Sequence, residues 1–222
     1  MDELKLGKLT YLVKYPEGFS KDGKYPILIY LHGAGSRGKT TETLRNNPFF
    51  QLTAKLEEFP FVCVAPLCSE NTWFDLFEHL QDLVKEVAKL PYANEKKIYL
   101  TGVSMGGYGT WQLAMSIPEY FAAIVPICGG GMYWNTGRLV NVPVWAFHGG
   151  IDGTVLPRES EKLVEAVNKA GGKAKLTIYP EAGHDSWTPT YTNPEVFSWL
   201  LEHESNCKVE HKDEYIGADI YG

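Results

Sequence analysis

The chain has 222 residues, a length that suits one ordinary domain with a substantial core. Hydrophobic residues make up 44% of it and charged residues 22%, which is typical of a globular protein and not of a disordered or fibrous one. Asp and Glu number 27 against 21 Lys and Arg, so the net charge is −6 and the basic footprint of a nucleic-acid-binding protein is absent. We therefore expect no nucleic-acid partner.

Short apolar runs alternate with amphipathic stretches along the chain, a pattern that predicts an α/β protein with a mostly parallel sheet and helices on both faces. Several runs are almost entirely apolar, as strands buried on both faces are. The predicted strands, in chain order, are residues 9–13, 27–31, 61–65, 97–102, 122–127, 142–147 and 174–179. Leucines and valines at helical spacing over residues 76–87 and 163–167 predict crossover helices between them.

We find no linker that would divide the chain, so residues 1–203 are expected to form a single domain and residues 204–222 a polar C-terminal tail. The longest apolar stretch, residues 121–128, contains Pro126 and is far shorter than the roughly 20 residues that a membrane span needs. No basic segment leads into an apolar one after Met1, so we expect a cytoplasmic protein, or a secreted one if a signal peptide has been removed.

The four cysteines are unevenly spaced and form no C-x-x-C pair, which argues against a zinc site and against a disulfide framework. Cys63 and Cys128 lie in apolar runs, where a cysteine is expected to pack as a small hydrophobic residue. No metal is therefore expected. Nothing in the pattern specifies an oligomeric state.

Residues 102–106 read Gly-Val-Ser-Met-Gly, which fits the pattern G-x-S-x-G with Ser104 at its centre. A predicted strand leads into this motif, and a helical stretch over residues 108–115 follows it. A serine on so tight a strand-to-helix turn is held clear of the backbone, and the flanking glycines avoid collisions with neighbouring elements. The pattern therefore predicts a nucleophilic Ser104, the alternative being an ordinary turn with a capping serine.

A serine hydroxyl is a weak nucleophile, so it needs a base and a third group that orients the base. His184 follows the predicted strand 174–179, and Asp152 follows the strand 142–147. Loops at the carboxyl ends of parallel strands meet at one edge of the sheet, so these side chains can converge on Ser104. The order Ser, Asp, His along the chain is that of a known catalytic arrangement.

Other residues of the chain are candidates for the same roles. His32 and His148 also follow predicted strands, but His32 begins a glycine-rich turn and His148 precedes the expected acid. Asp185 is the rival acid, although a side chain adjacent to His184 on an extended loop would diverge from its ring. His184 and Asp152 therefore remain the preferred base and acid.

The segment His-Gly-Ala-Gly-Ser-Arg-Gly at residues 32–38 follows a predicted strand, and its glycines leave backbone N–H groups free to face a ligand. We expect the amides of Ala34 and Met105 to form an oxyanion hole. Residues 33–40 also satisfy the phosphate-binding pattern G-x-x-x-x-G-K-T. A nucleotide-binding protein is thus the alternative from another functional class, although it would not need Ser104, Asp152 and His184.

These motifs together resemble the α/β-hydrolases, and more narrowly the bacterial carboxylesterases related to dienelactone hydrolases, polyhydroxybutyrate depolymerases and feruloyl esterases. The resemblance runs from about Leu9 to His203 and rests on residues 31–35, 101–111 and 183–187. It implies an α/β-hydrolase fold and a serine esterase that works through an acyl-enzyme without metal or cofactor. Relatives usually carry bulkier or polar residues at the positions of Gly150 and Gly153, so this chain departs from the family pattern in the loop around Asp152.

The resemblance implies Ser104 as nucleophile, His184 as general base and Asp152 as the acid that orients it. No insertion is long enough for a large lid, so we expect an open cleft for small esters with short-chain acyl or aryl groups. Trp187, three residues after His184, is expected to line the substrate pocket, and further aromatic residues on strand-end loops are candidates for it. An acyltransferase or a peptidase could use the same triad.

Overall fold

The computed structural model describes residues 1–205, and within this range eight strands form one sheet. In chain order the strands, labelled β1 to β8, are Asp2–Leu6, Leu9–Lys14, Tyr25–Leu31, Val62–Pro66, Ala93–Val103, Ala123–Ile127, Val144–Gly149 and Ala174–Tyr179. Their order across the sheet is β1-β2-β4-β3-β5-β6-β7-β8. β2 pairs antiparallel with β1 on one side and with β4 on the other. All other neighbouring strands of the sheet pair in parallel.

Helices cover both faces of this sheet. The α-helices, labelled α1 to α7, are Glu42–Arg45, Pro48–Thr53, Phe77–Ala88, Met105–Ser116, Arg158–Lys169, Trp187–Tyr191 and Pro194–Leu201. Short 3₁₀-helices span Ala34–Ser36, Trp73–Leu76, Pro118–Tyr120 and Tyr133–Leu139. The predicted crossover helices correspond to α3 and α5.

Alternate residues of the strands pack into two separate cores, because successive side chains of a strand point to opposite faces. In β3, Ile27 and Ile29 face a core that includes residues of α3, α4 and α5. Leu28 and Tyr30 face a second core that includes residues of α2, α6 and α7. The predicted mostly parallel sheet with helices on both faces is thereby confirmed.

All seven predicted strands are present, with bounds shifted by a few residues, but β1 was missed. Its residues Asp2 to Lys5 are exposed, so the strand carries none of the burial pattern that reveals a strand in a sequence. Backbone pairing with β2 holds it instead, from Asp2 opposite Val13 to Leu6 opposite Leu9.

The proposed tail lies outside the described residues from residue 206 onward. None of the helices within residues 1–205 has the length and apolar character needed to cross a bilayer.

Candidate active site

Ser104 lies on a sharp turn between the end of β5 and the start of α4. Its backbone has φ 55° and ψ −117°, an unusual conformation for a residue with a side chain. The turn is tight because α4 packs closely on β3: a Cβ added to Gly106 would lie 1.9 Å from the carbonyl oxygen of Leu31. The glycine of the motif is therefore required by close approach, as predicted.

His184 contacts both of the other predicted triad members. Its Nε2 lies 2.8 Å from Oγ of Ser104, and its Nδ1 lies 2.7 Å from Oδ2 of Asp152. Because an ionised carboxylate only accepts hydrogen bonds, Nδ1 carries the proton and Nε2 accepts the hydroxyl proton of Ser104. The structure thus brings together three residues that are distant in the sequence, in the geometry of a nucleophile, a base and an orienting acid.

Asp152 is buried and accepts hydrogen bonds on both carboxylate oxygens. Oδ1 accepts the backbone N–H groups of Thr154 at 2.8 Å and Val155 at 3.0 Å, while Oδ2 faces His184. Burial acts to raise the pKa of Asp152, but the hydrogen bonds from His184, Val155 and Thr154 outweigh it and the pKa is lowered. The side chain is therefore an ionised acceptor at neutral pH.

The loop that carries Asp152 is fastened to the loop that carries His184. The Gly150 N–H donates to the Tyr179 carbonyl at 2.7 Å, and the Ile151 N–H donates to the Ala182 carbonyl at 3.1 Å. A Cβ on Gly149 would lie 1.9 Å from the carbonyl oxygen of Gly183, so only glycine permits this approach. The glycine-rich sequence around the acid is thus explained by backbone packing against the neighbouring loop.

The alternatives weighed for base and acid have other partners. The carboxylate of Asp185 accepts the backbone N–H of Thr188 at 3.0 Å and its hydroxyl at 2.9 Å, which stabilises the first turn of α6. His32 is buried, accepts the Cys68 N–H on Nε2 at 3.0 Å and lies 2.7 Å from the Gly33 carbonyl through Nδ1. Among the hydrogen bonds of the described residues, the side chains of Asp185 and His32 make none to Ser104.

Ala34 and Met105, the predicted oxyanion donors, each open a helix. Met105 is the first residue of α4, and Ala34 is the first residue of the helix Ala34–Ser36. Backbone N–H groups in the first turn of a helix have no carbonyl partner within it and are free to bind an anion. The preceding residue, Gly33, packs against Ser104, since a Cβ there would lie 3.6 Å from that of Ser104. Their role as donors remains a prediction.

The phosphate-binding pattern at residues 33–40 does not adopt the arrangement that such a loop needs. A phosphate-binding loop leads from its lysine straight into a helix, whereas α1 here begins only at Glu42 and is four residues long. The ammonium group of Lys39 is exposed and donates to the Ser69 carbonyl at 2.8 Å. The loop instead contributes the turn that packs beside Ser104.

Trp187 lies beside His184, as their spacing in the sequence predicts. Its ring meets that of His184 edge to face, with centroids 5.5 Å apart and an angle of 89° between the planes. It is half-buried and packs against the core that lies under α6 and α7. Its predicted contact with substrate remains a prediction.

His148, which the sequence analysis set aside, is also part of this site. Its ring is buried, and its Nε2 lies 3.3 Å from Oδ2 of Asp152, the same oxygen that faces His184. Nδ1 lies 2.7 Å from the hydroxyl oxygen of Ser160, on α5. The separation of four residues between His148 and Asp152 was the available signal, but only the folded loop brings the two side chains into contact.

One group of side chains within residues 1–205 has ligand atoms close enough to hold a metal ion. These atoms belong to Cys128, Asp152 and His184 and lie within 4.8 Å of one another. Asp152 and His184 already bond to each other, and burial raises the pKa of the Cys128 thiol to about 12. A protonated thiol is a poor ligand, so the cluster favours an acid–base pair over a metal centre.

Curated proteins are similar to parts of this chain. The curated dipeptidyl-peptidase 5 of Porphyromonas gingivalis is 21% identical over 229 residues, covering 80% of this chain and 33% of that protein. The chain spans about a third of the length of the first curated relatives it matches.

Solved structures are similar over most of the chain. The crystal structure of a thermostable esterase is 32% identical with a TM-score of 0.75, covering 88% of this chain and 59% of that one. Est1E from Butyrivibrio proteoclasticus has the same fold, with a TM-score of 0.70 and 17% identity over 90% of this chain and 97% of that one. The α/β-hydrolase fold is confirmed. The family model of the dienelactone hydrolases matches residues 66–195, which include Ser104, Asp152 and His184, and the chain belongs to the dienelactone hydrolase family.

Proposed function

We propose that this protein is a serine esterase that hydrolyses carboxylic esters through an acyl-enzyme. The observation that carries the proposal is the unbroken chain of hydrogen bonds from the buried carboxylate of Asp152 through His184 to Oγ of Ser104. Membership of the dienelactone hydrolase family supports it.

The roles of the three residues follow from their hydrogen bonds. His184 takes the hydroxyl proton on Nε2 as Oγ of Ser104 attacks the ester carbonyl. Asp152 holds the ring in the correct tautomer and stabilises the imidazolium that forms. His184 then gives the proton to the leaving alcohol, and water repeats the sequence on the acyl-enzyme.

The negative charge that develops on the carbonyl oxygen needs donors that are already in position. The amides of Ala34 and Met105 are suited to this because each opens a helix beside Ser104. A donor of this kind typically contributes about 3 kcal/mol of transition-state stabilisation. Trp187, beside His184, is suited to lining the pocket for the acyl or alcohol group.

Small esters with short acyl or aryl groups are the proposed substrate class. The described connections between the strands contain only short helices and the crossover helices of the fold, so the edge of the sheet near Ser104 carries no large lid. Ferulic acid is bound in a structure of Est1E, which makes methyl ferulate an informative aryl ester to test. The similarity to a dipeptidyl-peptidase makes peptide amides the competing substrate class.

Labelling and kinetics of the Ser104→Ala variant test the proposal. We expect wild type to react covalently with a fluorophosphonate and to hydrolyse p-nitrophenyl acetate, and the variant to lose labelling and at least about 10⁴-fold in kcat. Ser198→Ala, which alters an exposed serine of α7, is the matched control and should keep both activities.

Several outcomes would contradict the proposal. Turnover of p-nitrophenyl acetate by Ser104→Ala near the wild-type rate would remove the nucleophile from the mechanism. Cleavage of aminoacyl p-nitroanilides faster than of p-nitrophenyl acetate, p-nitrophenyl butyrate and methyl ferulate would indicate a peptidase. Transfer of the acyl group to an added alcohol in preference to water would indicate an acyltransferase. Thermal stabilisation by ATP or GTP would instead support nucleotide binding.

A further inference from the structure

His148 lies at the carboxyl end of β7, and its imidazole is buried behind the proposed triad. Nε2 lies 2.9 Å from the carbonyl oxygen of Val155 and 3.3 Å from Oδ2 of Asp152. A carbonyl oxygen only accepts hydrogen bonds, so Nε2 carries a proton and donates it to Val155. The same nitrogen of His148 lies beside Oδ2 of Asp152, the oxygen that faces His184.

The other nitrogen of the ring is anchored on a different element. Nδ1 lies 2.7 Å from Oγ of Ser160, and Oγ is in turn 3.3 Å from the carbonyl oxygen of Gly129, in the loop after β6. The Ser160 hydroxyl therefore lies between Nδ1 of His148 and the Gly129 carbonyl and ties the ring to α5. Ser160 thus fixes the orientation of the His148 ring.

These bonds close the loop that carries Asp152. The loop runs from Gly149 to Thr154 and contains three glycines, so its own sequence does little to hold one conformation. The N–H of His148 reaches across it from the strand to the carbonyl of Val155. Asp152 is consequently fixed from one side by His148 and from the other by the hydrogen bonds to Thr154 and Val155.

We propose that His148 is a positioning residue, which acts on the reaction through Asp152: its N–H bond to the Val155 carbonyl closes the loop that carries the acid, and its ring packs against the carboxylate. The inference rests on the proposed esterase function, since Asp152 must orient His184 for its position to affect the rate. A group that orients another functional group in this way commonly changes activity by 10- to 100-fold when removed.

A pair of isopolar substitutions separates this role from simple packing. The side-chain amide of Gln can place an N–H near the position of Nε2, whereas that of Asn reaches only the position of Nδ1. We expect His148→Asn to lower kcat by about 10- to 100-fold with KM within about threefold. His148→Gln should stay within about threefold of wild-type kcat. Active-site titration with a fluorophosphonate gives kcat per mole of folded protein.

A double-mutant cycle with Asp152→Ala tests whether His148 acts through the acid. If it does, His148→Asn lowers kcat in wild type but has less than a twofold effect in the Asp152→Ala background. The same factor in both backgrounds, or equal losses in His148→Asn and His148→Gln, would overturn the proposal. Ser160→Ala, which frees only Nδ1, offers a milder variant in case His148→Asn does not fold, and a kcat equal to that of wild type would count against the proposal.

A second measurement does not depend on turnover. The proton between Nδ1 of His184 and Oδ2 of Asp152 can be observed by NMR, and we expect its chemical shift to move in His148→Asn and to remain near the wild-type value in His148→Gln. An unchanged shift in both variants would overturn the proposal even if the protein hydrolysed no ester. Failure of the esterase function itself would appear separately, as absent labelling of Ser104 in wild type.

Discussion

Ser104 occupies a backbone conformation that costs stability. A residue with a side chain at φ 55° and ψ −117° is strained by about 1–3 kcal/mol, whereas glycine tolerates such angles. A Gly also lowers the free energy of unfolding by about 0.5–1 kcal/mol relative to Ala, because its backbone has more freedom in the unfolded chain. We predict that Ser104→Gly is more stable than Ser104→Ala by about 1 kcal/mol, which scanning calorimetry would record as a Tm higher by about 2–4 °C.

The same pair of substitutions in a helix supplies the control. Ser198 lies in α7, where Gly is about 1 kcal/mol less favourable than Ala, so Ser198→Gly should melt below Ser198→Ala. We thus expect Gly to give the higher Tm at position 104 and Ala to give the higher Tm at position 198. A Ser104→Gly variant that melts at or below Ser104→Ala would show that the strain at the turn is not stored in this residue.

At the scale of elements, His32 ties together the loops that follow β3 and β4. It accepts the Cys68 N–H, contacts the Gly33 carbonyl, and its own carbonyl accepts the indole N–H of Trp73. Burial lowers the pKa of His32 to about 4 from its ordinary value of 6.5, although the hydrogen bond to Gly33 acts in the opposite direction. At a pH between these two values His32 is therefore neutral in the folded protein, whereas it is protonated in the unfolded chain.

This difference makes the fold sensitive to acid. As the pH falls from 6.5 to 4, the unfolded chain gains a proton at His32 before the folded protein does, so stability falls across this window. One pKa unit corresponds to about 1.4 kcal/mol, and the predicted loss is about 3 kcal/mol. Urea denaturation at pH 7, 5 and 4 should show it in wild type and a smaller loss in His32→Gln, whereas parallel losses in the two proteins would contradict the assignment.

The elements that the sequence predicts are those whose stability comes from burial. The strand at residues 97–102 could be predicted because it is apolar, and α3 because its leucines repeat at helical spacing. β1 could not, because Leu4 is exposed and the strand pairs along its backbone with β2 without the burial pattern of a strand. The same distinction holds at the site: Ser104 has a local motif, whereas the contact of His148 with Asp152 exists only once the loop has folded.

At the scale of the whole molecule, the candidate site is assembled from loops at one edge of the sheet. Ser104 follows β5, Asp152 follows β7 and His184 follows β8, while the glycine-rich turn at Gly33 follows β3. The strands before Gly33, Ser104 and Asp152 are buried between two helical layers, and β8, which precedes His184, pairs in parallel with β7, so the separation of the functional groups is set by the sheet. Within the described chain no further layer covers this edge.

Within residues 1–205 no lid covers the site, so the proposed esterase should respond to its substrate differently from a lipase that opens at an interface. We predict that the rate on tributyrin rises hyperbolically with concentration and does not jump where the ester exceeds its solubility and forms droplets. Rates on p-nitrophenyl acetate and butyrate should exceed that on the octanoate, because the open cleft expected near Ser104 would offer a long acyl chain little buried contact. A pH-stat titration across the solubility limit measures the first expectation, with Ser104→Ala as the blank. A steep increase on droplet formation would mean that a segment which moves at interfaces controls access to the site.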